Sequence, residues 1–337
     1  MTIKDVARES GYSVGTVSRT LNNAPGVSDK ARKRILEIVE KYGFELNRNA
    51  KHLKQQGKDG IAVIIKGKDN MFFVSVVQQL QKRIEEKGHA CLVSYISEED
   101  DEVEQALRLC QERNPYGILF LGSNKAPFQK SFARIQVPCV MVTNSADDFG
   151  FDHLSSVSTD DETAADYAVE HLISLGHRRI GILSGILERS RAADSRYQGA
   201  LKAFERHGIS FDGETGCEKA HFEVEEGYYA MKRLMRKMPD ITAVFAMADV
   251  LAIGAIRAIR DQGLRVPEDI SVIGFDGLEL GNYLVPRLTT IHQDSTRIAV
   301  RSVEILLDNI DNGYSAVHEK EPFYLVPGES VCRIENK

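Results

Sequence analysis

Residues 12–22 read YSVGTVSRTLN, a short and nearly uncharged stretch that predicts a helix close to the N-terminus of the chain. Ser13 is suited to cap this helix, because its hydroxyl can accept a hydrogen bond from a backbone N–H of the first turn. The apolar residues recur at the spacing of one helical face: Val14, Val17 and Leu21. The stretch contains one cation, Arg19, and ends on Asn22. It therefore predicts a small helix that needs neighbouring helices to bury its apolar face.

Two further helices are predicted beside this one. The earlier helix begins behind the hydroxyl of Thr2 and ends at Gly11, which can adopt the left-handed conformation of a helix terminus. The later helix begins behind the hydroxyl of Ser28. Its apolar face consists of Ala31, Ile35, Ile38 and Val39. Two short helices joined by a tight glycine turn and clamped by a third form a helix-turn-helix unit, although a structural three-helix bundle fits the same pattern.

The second helix of a helix-turn-helix unit enters the major groove of DNA with its N-terminal residues forward. The hydroxyl side chains of this helix can bind phosphates: Ser13, Thr16 and Ser18. Arg19 can make a bidentate contact to guanine or neutralise a phosphate. Residues 1–58 contain 12 Lys and Arg against 6 Asp and Glu, whereas the remainder contains 31 against 43. A basic N-terminal segment on an acidic body is typical of a nucleic-acid-binding module joined to a regulatory domain.

The composition is that of a water-soluble globular chain, with 42% apolar and 27% charged residues among 337. The sequence has no apolar run long enough to span a bilayer and no secretory signal, so a cytoplasmic location is expected. Its five cysteines are scattered without a CxxC pair, which fits reduced thiols better than disulfides or a zinc site. No catalytic or cofactor motif (GxGxxG, GxxxxGK[ST], GxSxG or HExxH) occurs. We therefore expect no catalytic residue, no metal and no cofactor.

From residue 60 onward, strand and helix patterns alternate twice, which predicts an α/β body of two parallel sheets covered by helices. Strands are expected at residues 61–65, 91–95, 117–121, 139–142, 179–183, about 220, 243–246, 271–275 and within 325–331. Helices are expected at residues 73–87, 163–175, 197–207, 227–237 and 250–262, with another beginning in the acidic run 98–102. Paired lobes of this kind bind a small molecule in the cleft outside the carboxyl ends of their strands.

Residues 2–23, TIKDVARESGYSVGTVSRTLNN, and residues 39–54, VEKYGFELNRNAKHLK, resemble the headpiece of the LacI/GalR family of bacterial transcription regulators. The likeness extends through the chain. It implies an all-α helix-turn-helix headpiece at residues 1–46, a hinge helix and linker at 47–59, and a two-lobed periplasmic-binding-protein-like body at 60–337. The chain is expected to cross between the lobes three times, so each lobe consists of two segments. The N-lobe is expected at about 60–158 and 291–320, and the C-lobe at about 159–290 and 321–337.

The resemblance implies which residues contact DNA. Val14, Gly15 and Arg19 occupy positions that read bases in the family, although Gly15 departs from the longer side chain that many relatives carry. Asn22 is expected to join them. In the hinge helix, the implied contacts are Asn47, Ala50, Lys51, Leu53 and Lys54. Leu53 would enter the minor groove as an apolar wedge, with Lys51 and Lys54 on the flanking phosphates. The alternative is a linker helix that buries Leu53 against the body.

The effector-binding residues are expected directly after the strands. Phe72 and Phe73 follow the first strand, where an aromatic ring can stack on a sugar or nucleobase. The family resemblance adds five positions: Asp160, Arg196, Phe222, Asp276 and Gln293. Arg196 and Asp276 could instead form an ion pair that only braces the cleft. Arg189 and Arg191 bring further positive charge near Arg196, from which we hypothesise an anionic effector such as a sugar phosphate or carboxylate.

Together these features predict a transcriptional regulator, most simply a repressor, whose affinity for a pseudo-palindromic operator in double-stranded DNA is set by a small molecule. The effector is expected to be a sugar, a sugar phosphate or a nucleobase. The protein is expected to act as a homodimer without a membrane partner. Two other classes stay open at this point: a catabolite-control-type regulator driven by a protein partner, and a sugar-binding transport protein, which the basic N-terminal segment disfavours.

Overall fold

The computed structural model describes residues 3–21, 26–42, 60–67, 70–313 and 315–334. The described residues of the N-terminal part form three helices, α1 (Ile3–Ser10), α2 (Val14–Leu21) and α3 (Asp29–Lys41). Gly11 has a φ of 76°, and its N–H donates to the Ala7 carbonyl at 3.0 Å, so it ends α1 in the left-handed conformation as predicted. The two hydroxyl caps are confirmed, because Ser13 Oγ accepts from Thr16 N at 3.2 Å and Ser28 Oγ accepts from Ala31 N at 3.4 Å.

The three helices enclose a small apolar core in which Val6, Val17 and Ile35 are fully buried. Val14 was expected on the inward face of α2, but its side chain is 41% exposed. It is the first residue of the helix, and Val17 and Leu21 already fill the contact with α1 and α3. The headpiece therefore presents Val14 on its surface. Thr2, predicted to cap α1, lies outside the described residues.

The first sheet of the body is wholly parallel, in the order β11-β5-β4-β3-β1-β2. Its strands are β1 (Ile61–Lys66), β2 (Cys91–Ile96), β3 (Gly117–Leu121), β4 (Cys139–Val142), β5 (Leu154–Thr159) and β11 (His318–Glu321). Its helices are α4 (Met71–Glu86), α5 (Glu102–Glu112), α6 (Lys125–Ser131) and α12 (Ser295–Asn312), and Phe132–Arg134 forms a 3-10 turn. We call this sheet with its helices the first lobe.

The second sheet has the order β12-β10-β9-β8-β6-β7. Its strands are β6 (Ile180–Ser184), β7 (Cys217–Lys219), β8 (Ala243–Ala246), β9 (Ser271–Asp276), β10 (Thr289–Gln293) and β12 (Phe323–Val326). Its helices are α7 (Asp161–Ser174), α8 (Arg191–Arg206), α9 (Gly213–Gly216), α10 (Val224–Lys237) and α11 (Asp249–Asp261), with 3-10 turns at Leu187–Arg189 and Glu279–Tyr283. We call this sheet with its helices the second lobe. Its strand β12 is antiparallel to β10, whereas the sequence predicted parallel sheets.

Burial on both faces explains the apolar central strands. In β1, Ile61, Val63 and Ile65 pack into the core beneath α4 and α12, whereas Ala62 and Ile64 pack into the core on the other face. Alternate side chains of a strand point to opposite faces, so a strand covered by helices on both sides needs apolar residues throughout.

Helix pairs in the second lobe approach closely at glycines. A Cβ on Gly199 of α8 would lie 2.1 Å from the Glu162 carbonyl oxygen of α7. A Cβ on Gly254 of α11 would lie 2.1 Å from the Val224 carbonyl oxygen at the start of α10. These contacts hold the helices, and hence the strand ends that they follow, at fixed positions.

The chain passes between the two lobes three times: after β5, after β10 and between β11 and β12. The second passage, expected at about position 291, follows β10. Residues 289–293 form a regular strand whose pairing with β9 extends to His292 opposite Asp276, so the chain leaves the second sheet only after Gln293. The last residue of β10, Gln293, thus stays beside Asp276 at the end of β9, to which its side chain donates a hydrogen bond.

Candidate functional site

A cavity of about 450 Å³ lies between the two lobes, at the carboxyl ends of their strands. Lys66, Gly122 and Thr143 line it from the first lobe, each at or just after the end of a strand. Ala248 and Asp276 line it from the second lobe in the same way. This is the position where open α/β sheets bind ligands. The predicted cleft between two sheets is therefore present, with polar and aromatic side chains on its walls.

Arg196 of α8 is held rigidly at the base of this cavity. Its side chain is buried, with Nε donating to Asp161 Oδ1 at 2.7 Å and Nη1 donating to the Met247 carbonyl at 2.5 Å. The guanidinium carbon lies 3.7 Å from the centroid of the Phe275 ring, and Nη1 lies 3.8 Å from Asp276 Oδ1. A planar guanidinium fixed from several sides keeps its remaining donors in a defined direction for a ligand.

Asp276, the last residue of β9, lies beside Arg196 and also lines the cavity. Its φ of 124° is in a region that residues with side chains seldom adopt, which is the kind of strain found at functional sites. Gln293 Nε2 donates to Asp276 Oδ1 at 2.8 Å. Burial raises the pKa of Asp276 to about 7, against the opposing charge of Arg196 and the hydrogen bond from Gln293. The carboxyl can therefore gain or lose a proton near neutral pH.

A second buried carboxyl, Asp249, lies close behind. It accepts hydrogen bonds from Thr290 Oγ1 at 2.6 Å and from the Leu278 N–H at 2.7 Å. Burial and the charge of Asp276 raise its pKa well above the usual value for aspartate. Asp249 thus joins β9, β10 and α11 beneath the site, and sequence patterns gave no sign of this role.

Two aromatic rings form the apolar walls of the cavity. Phe73 of the first lobe and Phe222 of the second lobe both line it. Each ring lies against a glycine: a Cβ on Gly122 would come within 2.7 Å of the Phe73 ring, and a Cβ on Gly185 within 2.6 Å of the Phe222 ring. Phe72 borders the cavity but is 97% buried, because it packs chiefly into the core of the first lobe. Phe73 is therefore the better placed of the two neighbouring rings to contact a ligand.

The structure places Asp160, an expected effector-binding residue, outside the lining of the cavity. Asp160 caps α7, accepting from Thr163 N at 3.2 Å, and forms an ion pair with Lys320 at 2.8 Å, outside the residues that line the cavity. The following residue, Asp161, is the carboxylate that reaches Arg196. Adjacent residues at the start of a helix point in different directions. Asp160 therefore caps the helix, whereas its neighbour Asp161 supports the site.

Gln293 lies behind the site, because it contacts Asp276 without lining the cavity. The expected cluster of free arginines is also absent from the described residues. Arg189 lines the rim and pairs with Glu99, whereas Arg191 lies outside the lining and pairs with Asp148 at 2.9 Å. The two loop arginines therefore face carboxylates of the first lobe, and they do not add free positive charge around Arg196.

These loop contacts join the lobes at the mouth of the cleft. Arg189 pairs with Glu99, and His221 Nδ1 lies 2.8 Å from Glu98 Oε2. With the Arg191–Asp148 pair, these contacts connect the second lobe to loops that follow β2 and β4. We call these three contacts the rim pairs. They lie far apart in sequence, so no local pattern predicted them.

The candidate DNA-contacting residues of α2 are displayed on the headpiece surface. Ser13, Val14 and Arg19 are exposed, and Arg19 Nε lies 3.4 Å from the Gly15 carbonyl. Thr16 is half-buried, and its hydroxyl lies 2.9 Å from that of Ser13. A Cβ on Gly15 would meet only Ser13 Oγ, at 3.8 Å, so this position faces open space.

The other predicted DNA contacts lie outside the residues that the structure describes. The side chain of Ser18 lies outside the described part of the chain. The same holds for Asn22, Asn47, Ala50, Lys51, Leu53 and Lys54.

Comparison with known proteins identifies the family. A family model described as bacterial regulatory proteins, lacI family, matches residues 2–47, and one described as a periplasmic binding protein-like domain matches residues 169–331. The HTH-type transcriptional regulator MalR of Clostridium butyricum is 35% identical over 319 residues, which cover 92% of this chain and 93% of that protein. This chain belongs to the LacI family of bacterial transcription regulators.

Two further similarities extend over the whole length of this LacI-family protein. The HTH-type transcriptional repressor PurR of Haemophilus influenzae (strain PittEE) is 30% identical over 331 residues, covering 97% of this chain and 96% of that protein. The lac repressor dimer bound to operator and the anti-inducer ONPF has a TM-score of 0.72 and 26% identity, covering 98% of this chain and 99% of that chain. The protein is thus a DNA-binding transcriptional regulator with a helix-turn-helix headpiece, and it is not an enzyme.

The described residues hold two further features that bear on partners. None of the described helices is long and apolar enough to cross a membrane. Within the same residues, no group of three or more His, Cys, Asp or Glu side chains is placed to hold a metal ion.

Proposed function

We propose that this LacI-family regulator is a homodimeric repressor whose affinity for operator DNA is controlled by a sugar or sugar derivative bound in the cleft between its lobes. The observation that carries the proposal is the pairing of Arg196 and Asp276 at the base of the cavity, with Phe73 and Phe222 on its walls. Because chromosomal DNA is its target, we place this function in the cytoplasm.

The chemistry of the cleft fits a polyhydroxylated ring. A carboxylate can accept hydrogen bonds from two neighbouring hydroxyls, and a guanidinium donates to hydroxyl oxygens from a rigid fork. Aromatic rings bury the apolar C–H face of such a ligand. The volume of about 450 Å³ lies within the usual range for small-molecule sites and suits one or two sugar units.

The rim pairs give the cleft a way to influence the headpiece. They are formed only when loops of the two lobes meet at the mouth, so a ligand that holds both walls favours this arrangement. A ligand shifts a conformational equilibrium by its difference in affinity for the two states. In a dimer, a change in the angle between lobes changes the separation of the paired DNA-binding segments, and hence the stability of the operator complex.

The proposed DNA contacts divide between the two grooves. Val14 and Arg19 of α2 read bases in the major groove, and Ser13 and Thr16 hold phosphates. The hinge segment at residues 47–59 enters the minor groove, where Leu53 acts as a wedge between Lys51 and Lys54. Two headpieces on one pseudo-palindromic site follow from two-fold symmetry.

The proposal is tested by two measurements on the full-length protein. Calorimetry with a panel of neutral sugars, acidic sugars, sugar phosphates and nucleobases identifies the ligand class. Footprinting on genomic fragments identifies the operator, whose affinity is then measured with and without the ligand. Binding of a nucleobase and of no sugar would contradict the proposed ligand class, and an operator affinity independent of every bound ligand would contradict the proposed control.

A further inference from the structure

Lys66 is a charged residue in an unusual position, at the end of the buried strand β1. The five preceding residues of this strand are apolar and buried, and the lysine itself is only 8% exposed. It lines the cavity between the lobes. A lysine is seldom buried without a specific partner, so the environment of its ammonium group indicates what the site can bind.

The partner within the protein is Glu102, the first residue of α5. Glu102 is fully buried, and its Oε2 accepts a hydrogen bond from Lys66 Nζ at 2.8 Å. Its other oxygen, Oε1, accepts from the Asn124 N–H at 2.8 Å. A carboxylate at the N-terminus of a helix is also stabilised by the helix dipole. Glu102 is therefore satisfied from three sides and does not require all the donors of the lysine.

The ammonium group retains donors that Glu102 does not use, beside a cavity that Lys66 lines. A lysine ammonium has three N–H donors, and Glu102 takes one of them. Among the residues that the structure describes, no second acceptor is hydrogen-bonded to Lys66 Nζ. Gly67 and Asn70, which lead into the N-terminus of α4, line the cavity beside it. Helix N-termini carry partial positive charge, so this wall favours an anionic group.

Three of the four carboxylates that line the cavity have partners, and the fourth, Glu223 on the second-lobe wall, is exposed to solvent, which screens its charge. Glu98 and Glu99 are engaged in the rim pairs with His221 and Arg189. Asp276 is on the wall of the second lobe, where it contacts Arg196 and Gln293. A ligand in the cavity thus meets Lys66 on the wall of the first lobe. On the wall of the second lobe it meets both a donor, Arg196, and an acceptor, Asp276.

We propose that Lys66 binds an anionic oxygen group of the effector, so that the natural ligand is an acidic sugar that carries a carboxylate or a phosphate. This inference rests on the proposed function, which supplies the sugar, and adds the anionic group. The sugar hydroxyls face Arg196 and Asp276, and the anionic group faces Lys66 across the cavity. An anionic acceptor adds the attraction between two full charges to the hydrogen bond from the ammonium, and a neutral hydroxyl does not supply that attraction.

The test is calorimetry on the full-length protein with glucose, galactose and mannose, each as the neutral hexose, the uronate and the 6-phosphate. For at least one of the three sugars, an anionic form is expected to bind roughly tenfold to a hundredfold more tightly than its neutral parent. The better of uronate and 6-phosphate distinguishes the two sources of negative charge. Equal affinity of the neutral and anionic forms of a sugar that binds would overturn the inference, and this comparison needs no variant.

Variants then assign the preference to Lys66. The double substitution Lys66→Met with Glu102→Gln removes the ammonium without leaving a buried carboxylate unpaired, and it is expected to abolish the preference while the neutral hexose still binds. Lys320→Met removes a lysine that pairs with Asp160 outside the cavity, and it is expected to keep the preference. A double variant that folds and retains the full preference would overturn the assignment.

Failure of the proposed function gives a different result. If none of the nine compounds and no sugar of the wider panel binds although the protein still binds operator DNA, the sugar-controlled function is overturned and the assignment of Lys66 is overturned with it. If a neutral hexose binds and changes operator affinity as well as its anionic forms do, the proposed function stands and only the inference on Lys66 is lost.

Discussion

Arg196 and Asp161 form a buried ion pair in which Arg196 Nε donates to Asp161 Oδ1 at 2.7 Å. The pair joins the second turn of α8 to the first residue of α7 and so fixes the guanidinium at the base of the cleft. Burial raises the pKa of Asp161, and the charge and hydrogen bond of Arg196 act against that rise. The arginine thus serves two functions, because it neutralises buried carboxyls and presents donors to a ligand.

Replacing Arg196 by methionine should remove the response to effector. It should also destabilise the body by about 3–5 kcal/mol, because Asp161 and Asp276 lose their shared cation in a buried environment. Calorimetry measures the loss of ligand binding, and urea unfolding measures the loss of stability. Asp161→Asn is the matched control, since an amide oxygen still accepts from Arg196; it should keep ligand binding with a smaller loss of stability. Unchanged effector affinity in Arg196→Met would exclude this arginine from the site.

Stability should fall as pH rises toward neutrality, owing to Asp276. Its pKa is about 7 in the folded protein and about 3.9 in an unfolded chain, so between these values the folded state holds a proton that the unfolded state has lost. The contribution of Asp276 to the free energy of unfolding therefore decreases from about pH 4 to about pH 7 and levels off above that. Urea unfolding at half-unit steps of pH measures the slope, and Asp276→Asn should reduce it, leaving the part due to Asp161 and Asp249, whose pKa values burial also raises.

Asp148 provides the control for this pH dependence. Burial opposes ionisation of this carboxyl, but hydrogen bonds from Lys125 and Arg191 lower its pKa below the usual value for aspartate. Its contribution to stability is therefore present above about pH 4 and is lost only at more acidic pH. Asp148→Asn should leave the slope between pH 5 and 7 unchanged. If Asp276→Asn showed the wild-type slope, proton uptake by this carboxyl would be ruled out as the cause.

The rim pairs should contribute modestly to closure of the cleft, and they should do so through charge. Arg189 and Glu99 are both more than half exposed, so reversing one charge with Arg189→Glu should weaken effector binding by no more than about tenfold. The double reversal Arg189→Glu with Glu99→Arg should restore most of the affinity. Calorimetry at low and high salt checks the mechanism, because screening should reduce both effects. A double reversal no better than the single one would argue against the pairing.

Two glycines should respond in opposite ways to substitution by alanine. At Gly15 a Cβ meets only Ser13 Oγ at 3.8 Å, so Gly15→Ala should leave the fold intact and stabilise α2 by up to about 1 kcal/mol. At Gly199 a Cβ would lie 2.1 Å from the Glu162 carbonyl oxygen, so Gly199→Ala should destabilise the second lobe by about 1–3 kcal/mol. Hydrogen exchange of each region measures both changes. An equal loss in the two variants would contradict the packing described here.

The strands and helices that the sequence predicted were those with a strong local pattern. Apolar β-branched runs predicted β1, and hydroxyl caps at Ser13 and Ser28 placed α2 and α3. The strand β5 was not predicted, because its sequence LSSVST contains serines. The Ser155 hydroxyl accepts from the Val317 N–H at 3.1 Å, so polar side chains in this strand are satisfied only by tertiary contacts. Such partners cannot be recognised from a local pattern.

The site was predictable where family resemblance marked a residue, and not where a residue acts through contacts between distant segments. Arg196, Phe222 and Asp276 were placed at the cleft by family resemblance, and the structure brings all three to one cavity. Asp161 and Asp249 were missed because each acts through a partner more than 25 residues away, namely Arg196 and Thr290. Lys66 was overlooked although a lysine that ends an otherwise apolar strand is a visible sequence signal.

The central claim is that occupancy of the cleft between the lobes controls the affinity of the headpiece for DNA. The most direct measurement is the affinity of the full-length protein for its footprinted operator, by fluorescence anisotropy at physiological salt, with and without a saturating ligand found by calorimetry. We expect the ligand to change this affinity at least tenfold for the wild-type chain and to leave Arg196→Met unaffected. An operator affinity that stays the same in the wild-type protein when the cleft is demonstrably occupied would contradict the account.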